Sequence, residues 1–247
     1  MTVRPASATR RQLLRSSAAL AVLPAAGIRC AAARTATPAA PATPAACLET
    51  PMMSTGPYFL DGMPIRRDIT EGRPGVPLTL ALRITSLDGC APIANVAVDL
   101  WHCDAKGSYS GVDGSDGIFM RGVQLTGADG KAVFETLYPG WYPGRTPHLH
   151  VMARTGATEE NGAVTGGIPL FVGQLFLDDT LTDRIYAMPP YDSRNNGERT
   201  RNDSDGIFMR EPKRALLIVR IEDFRSGTPW PPNGLEAEAT LAIASAG

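Results

Sequence analysis

Residues 77–86 read PLTLALRITS, in which leucine or isoleucine occupies every second position from 78 to 84. Successive side chains of a β-strand point to opposite faces, so this period of two indicates a strand with one buried apolar face. A second β-rich run, VAVDLWH at 96–102, follows the turn residues Asp88 and Gly89. The two runs are interpreted as a β-hairpin.

The rest of the chain has the same short, interrupted character, with 25 glycines and 21 prolines among 247 residues. Further candidate strands are 131–137, 147–153, 170–177 and 214–223, and one short helix is predicted at 179–187. No segment keeps a helical period over three turns. The sequence therefore predicts an all-β fold, a β-sandwich with long loops and little helix.

The N-terminus has the pattern of an export signal. Residues 9–15 read TRRQLLR, and the uncharged stretch 16–28 that follows is too short to span a bilayer. This pattern predicts a twin-arginine signal peptide at 1–33 and a periplasmic or extracellular protein. A lipoprotein signal at Cys30 is the weaker alternative, because Arg29 occupies a position where that motif has a small residue.

Composition divides the rest of the chain, residues 34–247, into three parts. Residues 34–46 are almost wholly Ala, Pro and Thr and are predicted to be a disordered tail, 47–235 to form one domain, and 236–247 to form a C-terminal tail. Loss of 1–33 removes five of the 24 basic residues and none of the 25 acidic ones, which leaves a net charge near −6. This acidic balance argues against nucleic-acid binding, and no later apolar run is long enough for a membrane span.

The cysteines leave the disulfide pattern open. Cys30 would be lost with the signal, so Cys47, Cys90 and Cys103 remain. Cys90 and Cys103 lie at opposite ends of a predicted strand, too far apart to pair. Either a bridge from Cys47 to one of them or three buried thiols fits the sequence.

Residues 145–150, RTPHLH, hold two of the three histidines in the chain. His148 and His150 are two positions apart in a predicted strand, so both imidazoles project from one face, where they can bind one metal ion. Tyr142, six residues before His148, adds an ionisable oxygen. The pattern indicates a hard, oxidised metal.

Two segments carry a family resemblance: DLWHCDAKGSYS at 99–110 and YPGWYPGRTPHLH at 138–150. With the TGPY opening at 55–58, they resemble the intradiol ring-cleaving dioxygenases of the catechol and protocatechuate type, and most of all the exported, single-domain members. The resemblance extends from about Cys47 to Phe224. It implies the immunoglobulin- or transthyretin-like sandwich of that family.

The resemblance also implies a set of functional residues. It assigns four ligands to a non-haem iron(III) ion, Fe(3+): Tyr109, Tyr142, His148 and His150. Tyr142 is the ligand implied to leave and to act as a general base, while Arg145 and Gln174 stabilise negative charge on the substrate. Two phenolates and two neutral imidazoles suit iron(III), because anionic oxygen ligands favour the higher oxidation state.

The implied reaction is cleavage of a catechol-type diol by O2 between its two hydroxylated carbons, giving a cis,cis-muconate-type diacid. The sequence leaves open whether the protein forms a homodimer. One competing hypothesis is a secreted β-sandwich module that binds iron or catechol ligands without turnover. A weaker one is a hydrolytic zinc site in which His102 joins the histidine pair, although a structural role is favoured for His102.

The heptapeptide SDGIFMR occurs twice, at 115–121 and at 204–210. Two copies are too few for a repeat architecture. They are interpreted as two similar turn-to-strand segments, and no function is assigned to them.

Overall fold

The computed structural model describes residues 47–112, 114–193, 198–211, 220–222 and 234–244. The strands are β1 Met63–Pro64, β2 Pro77–Ser86, β3 Ala97–Trp101, β4 Arg121–Leu125, β5 Lys131–Leu137, β6 His148–Thr155, β7 Thr158–Glu160, β8 Ala163–Thr165, β9 Ile168–Phe176, β10 Arg220–Glu222 and β11 Leu235–Ile243. The helices are α1 Asp179–Tyr186 and α2 Gly206–Arg210, with short 3-10 turns at Tyr191–Ser193 and Asn202–Ser204.

Two four-stranded sheets form the layers of the fold. One has the strand order β4-β3-β6-β9 and the other β10-β11-β2-β5, while β1, β8 and β7 form a small third sheet. Alternate residues of β2, from Leu78 to Ile84, are fully buried and belong to one apolar cluster with Leu100 of β3 and Leu149 of β6. The core thus lies between the two larger sheets, and the predicted all-β sandwich is confirmed.

The predicted hairpin of 77–86 and 96–102 is wrong. β2 pairs with β5 and β11, whereas β3 pairs with β4 and β6 in the opposite sheet. The intervening residues cross from one layer to the other. An alternating pattern identifies the buried face of a strand but does not identify its neighbour, and this is why the pairing was missed.

The predicted C-terminal tail at 236–247 is also wrong. β11 runs parallel to β2 in nine residue pairs, from Leu235 beside Leu78 to Ile243 beside Ser86. Leu241 and Ile243 are buried in the core. The domain therefore extends well past residue 235, because β11 forms hydrogen bonds with the backbone groups along the edge of β2 that does not pair with β5.

Four other predicted elements are present in the structure. The candidates 131–137, 147–153 and 170–177 are confirmed as β5, β6 and β9, and 179–187 as α1. Of the predicted strand 214–223, only β10 is described. The predicted signal peptide and the tail at 34–46 lie outside the described residues.

The two copies of SDGIFMR fold differently. The first is a turn that leads into β4, as expected, whereas the second forms α2, capped by the Asp205 carboxylate. The shared interpretation as turn-to-strand segments is therefore wrong for 204–210. Seven residues do not specify one local structure, since tertiary contacts override weak local propensity.

Cys47 and Cys90 form a disulfide with a Cα–Cα distance of 5.4 Å, which answers the open question. Cys103 is buried, and its thiol donates to the carbonyl oxygen of Gly140. Among the described residues, no helix has the length and apolar character needed to cross a membrane.

Candidate functional site

His148 and His150 lie on β6 and face away from the sandwich core. Leu149 between them is part of the core cluster, as strand alternation requires. In register, His150 lies between Trp101 of β3 and Gln174 of β9. Its ring stacks on the Trp101 indole at a centroid distance of 4.9 Å. Three adjacent strands thus build one rigid wall of the site.

The two imidazoles converge on one point. Their Nε2 atoms are 3.1 Å apart, and His148 Nδ1 lies 2.6 Å from the carbonyl oxygen of Thr146. A carbonyl oxygen can only accept a hydrogen bond, so the His148 nitrogen facing it must be the donor. His148 therefore carries its proton on Nδ1 and presents the Nε2 lone pair to the site. Burial lowers the pKa of His148 to about 3 and that of His150 well below its usual value. Both rings are therefore neutral near pH 7, as metal ligands must be.

Tyr142 reaches the same point from the loop between β5 and β6. Its hydroxyl lies 3.3 Å from His148 Nε2. Burial raises the pKa of Tyr142, while the Arg145 charge opposes that effect. The side chain is only partly buried, and it lines a cavity beside the histidines.

Tyr109 comes from the loop after β3 and is 6% exposed. Its ring lies 5.9 Å from that of Tyr142 and 6.3 Å from that of His150. Within the described part of the chain, its hydroxyl has no hydrogen-bond partner at normal distance. Burial raises its pKa, and the nearby Cys103 and Tyr142 side chains add to that increase. A buried phenol oxygen is normally paired, and this one is the kind of atom that a bound cation would satisfy.

The two tyrosine loops touch through Gly140. A Cβ there would lie 2.5 Å from the carbonyl oxygen of Asp104 and 2.6 Å from that of Ala105. The Gly140 amide donates to the Asp104 carbonyl oxygen at 3.0 Å. Only glycine permits this approach, and it brings Tyr109 and Tyr142 to the same side of the histidines.

Arg145 and Gln174, to which the resemblance assigns charge stabilisation, lie in contact with each other. Arg145 Nη2 donates to Gln174 Oε1 at 2.5 Å, and Gln174 Nε2 donates to the carbonyl of Ser54 at 3.3 Å. The Arg145 charge lowers the pKa of every one of the four candidate ligands. It is therefore close enough to stabilise an anion bound among them.

The segment before β1 covers the site and was not predicted to contribute side chains. Tyr58 stacks on Tyr109 with ring centroids 4.4 Å apart. At Gly56, where φ is +70°, a Cβ would lie 3.1 Å from His150 Cε1, so the backbone itself packs on the imidazole. The TGPY motif was the signal available in the sequence, but it gave no role to its members.

A cavity of about 420 Å³ opens beside this cluster. Its lining includes Tyr58, Ser108, Tyr109, Val112, Tyr142 and Pro143. It is large enough for an aromatic ring. Both tyrosines assigned as ligands thus border the space where a substrate would bind.

Sequence reasoning also missed Arg121, which is 1% exposed. It donates to the carbonyls of Ser110 and Tyr58, and its guanidinium lies 5.8 Å from the Tyr109 ring centroid. Arg121 therefore ties together the segments on both sides of Tyr109. Its position in the first SDGIFMR copy was the available signal.

His102 does not join the site. Its Nδ1 lies 2.8 Å from the carbonyl oxygen of Cys103 and its Nε2 2.8 Å from Thr136 Oγ1, so both ring nitrogens have partners. The zinc hypothesis thereby loses its third ligand, and the structural role favoured for His102 fits its contacts. Among the described residues, no three His, Cys, Asp or Glu side chains are grouped to hold a metal. A metal here would need the tyrosines.

Comparisons with known proteins identify the family. The model of a family described as dioxygenase matches residues 54–164. An intradiol ring-cleavage dioxygenase from Tetranychus urticae is 31% identical, has a TM-score of 0.68, and is matched over 95% of its chain and 80% of this one. This chain belongs to the intradiol ring-cleavage dioxygenase family.

Two other family members extend the comparison. The dioxygenase domain of a dioxygenase and carbohydrate-binding protein fusion from Streptomyces sp. SirexAA-E is 30% identical, has a TM-score of 0.55, and is matched over 99% of its chain and 80% of this one. Catechol 1,2-dioxygenase 1 of Acinetobacter lwoffii is 36% identical over 120 residues, which are 43% of this chain. That match covers 38% of the relative, so the chain spans under two fifths of this curated protein.

Proposed function

We propose that this protein is a non-haem iron(III) intradiol dioxygenase that cleaves catechol-type aromatic diols with O2. The observation that carries the proposal is the convergence of Tyr142 Oη and the two histidine Nε2 atoms within 3.3 Å contacts. Beside them lies the buried Tyr109 hydroxyl, which finds no hydrogen-bond partner in the described part of the chain. Family membership supplies the reaction class. The names of its relatives include catechol, chlorocatechol and hydroxyquinol 1,2-dioxygenases.

The residues fit an iron(III) ion. Tyr109, Tyr142, His148 and His150 would hold it, because two phenol oxygens and two neutral imidazoles meet and the fixed tautomer of His148 presents its lone pair inward. Iron(III) bound there would act as a Lewis acid that lowers the pKa of phenolic oxygens and activates the diol toward O2.

The chain itself supplies the proton acceptor. Both tyrosines line the cavity, but Tyr109 is only 6% exposed whereas Tyr142 is partly exposed, so Tyr142 is the more accessible of the two to an incoming diol. In the ionised state its phenolate oxygen would accept a proton from a substrate hydroxyl, with the Arg145 charge stabilising that phenolate.

Arg145 and Gln174 would orient the substrate. The guanidinium is held by Gln174 and lies close to the ligand cluster, so it can bind the negative charge that develops on the ring when the diol loses its protons. Tyr58 and Trp101 cover the cluster with apolar surface, which limits the access of water.

Export by the twin-arginine route belongs to the same proposal. The leader sequence motivates it, and the Cys47–Cys90 disulfide supports it, because such bonds persist in oxidising compartments. The direct test is fractionation of cells that express the full chain carrying the double substitution Arg10→Lys and Arg11→Lys. Retention of the variant inside the cell is expected, and normal export would contradict this route.

The test of the enzyme is metal content, colour and O2 uptake. Purified protein loaded with iron should show a visible tyrosinate-to-iron charge-transfer band, which Tyr109→Phe should weaken or abolish, and it should consume O2 with catechol or hydroxyquinol. His148→Ala should reduce turnover by orders of magnitude, with a surface variant such as Asp116→Asn as the control. A colourless iron-loaded protein would refute the ligand assignment, and a coloured protein without O2 uptake would favour the binding module.

A further inference from the structure

Asp205, in the second copy of SDGIFMR, has a side chain completely shielded from solvent. Its carboxylate accepts four hydrogen bonds. Oδ1 accepts from the amides of Ile207 and Phe208 at 2.8 and 2.9 Å, which caps α2. Oδ2 accepts from Arg145 Nε at 2.8 Å and from the Thr146 amide at 2.9 Å. One buried anion therefore joins α2 to the loop that enters β6.

Arg145 is held on two sides. Asp205 takes its Nε–H and Gln174 takes an Nη2–H, so two acceptors on different elements define the plane of the guanidinium. The hydroxyl of Thr146, the residue after Arg145, donates to Asn202 Oδ1 at 2.8 Å. This bond ties the loop to the 3-10 turn that directly precedes α2. A long side chain with several rotatable bonds is thus confined to one direction, toward the ligand cluster.

We infer that Asp205 is a positioning residue that acts through Arg145: it sets the orientation of the guanidinium toward the ligand cluster. This inference rests on the proposed function, and it names a residue that the sequence left without a role. Asp205 does not contact the cavity, so its effect on turnover passes through Arg145.

An amide cannot replace this carboxylate. The four donors approach in two pairs, one pair at each oxygen. In asparagine one of these positions becomes an NH2 group, which is itself a donor, so whichever way the amide turns two N–H groups face another donor. Asp205→Asn therefore loses the contact to Arg145 or the cap of α2 while keeping the shape of the side chain.

The chain provides a matched control. Asp116 is the equivalent residue of the first SDGIFMR copy, and it is exposed to solvent. Asp116→Asn makes the same chemical change in the same heptapeptide without touching Arg145.

The first experiment is a double-mutant cycle in the full-length, iron-loaded protein. Asp205→Asn is expected to lower kcat by about 10- to 100-fold, the range for a partner that orients a functional group. Iron content and the visible band should be unchanged, and Asp116→Asn should match the parent. In an Arg145→Ala background Asp205→Asn should cause little further loss, because the group it orients is gone. An equal fold-loss in both backgrounds, or loss of iron from Asp205→Asn, would overturn the inference.

The second experiment does not depend on activity. In 15N-labelled full-length protein, metal-free and loaded with diamagnetic gallium(III), the Arg145 Nε–H signal should exchange slowly with solvent; Arg145→Lys identifies it by its disappearance. Exchange as fast as that of an exposed arginine would refute a held guanidinium. If the signal is slow but the parent neither binds iron nor consumes O2, the proposed function fails while the Asp205 contact stands.

Discussion

Replacing Gly140 with alanine tests how closely the two tyrosine loops must approach. The new Cβ would lie 2.5 Å from the Asp104 carbonyl oxygen and 2.6 Å from that of Ala105. Both obstacles are backbone atoms, so no side chain can rotate away. The loop that carries Tyr142 has to retreat from the loop that carries Tyr109.

The size of the effect follows from the overlap. A comfortable contact needs about 3.5 Å, so the loops must separate by roughly 1 Å. Overpacking of this kind costs about 1–3 kcal/mol. At about 2–4 °C per kcal/mol for a domain of this size, Tm should fall by roughly 2–12 °C. A displacement near 1 Å in a catalytic group costs roughly 100-fold in rate.

The assay compares Gly140→Ala with Gly127→Ala, whose new Cβ would meet only the flexible Asp129 carboxylate at 3.2 Å. The Tm, the intensity of the visible band and kcat with catechol should all fall in Gly140→Ala. The same three quantities should remain near the parent values in Gly127→Ala. If both variants keep the parent Tm and kcat, close contact between the loops is not required, and the geometric reasoning given for Gly140 is wrong.

Three further predictions concern stability. Burial lowers the pKa of His102 to about 4, so stability should be complete above pH ~6.5 and decrease by up to about 3 kcal/mol as the pH falls to ~4; in urea titrations His102→Gln should show a shallower pH dependence, and an unchanged slope would contradict this. Asp99→Asn removes the buried carboxylate that pairs with Arg154, whose guanidinium keeps Asp61 and the carbonyls of Gly166 and Val164, and should cost about 1.5–3 kcal/mol, against at most about 1 kcal/mol for Asp61→Asn at the half-exposed partner; equal losses in urea unfolding would argue against the buried pair. Reduction of the Cys47 disulfide, which closes a 43-residue separation, should cost about 2–4 kcal/mol, and an unchanged Tm in dithiothreitol would show that it does not stabilise the fold.

Much of the site could be predicted from the sequence because its key residues lie in short, ordered motifs. His148 and His150 share a face by strand alternation alone, and Leu149 enters the core for the same reason. Tyr142 and Arg145 lie within six residues of the pair, so the chain itself keeps them near. Tyr109 required the family resemblance, because its distance from the histidines in sequence carries no geometric information.

The supporting residues were beyond reach for a related reason. Asp205 and Arg121 occupy different positions of the same heptapeptide, yet one copy buries its arginine and the other buries its aspartate. Nothing local distinguishes the copies. Only the surrounding structure, β4 in one case and the β6 entry loop in the other, decides which charge is buried and paired.

The sequence by itself determined the all-β class, the buried faces of the strands and the order of the candidate ligands, since these depend on periodicity and short motifs. The tertiary structure alone decided that β2 and β3 lie in opposite sheets, that β11 pairs with β2, and that Asp205 holds Arg145. These are contacts between residues far apart in the chain. Their formation depends on which surfaces remain to be buried and which hydrogen-bonding groups remain to be paired once the neighbouring elements have packed.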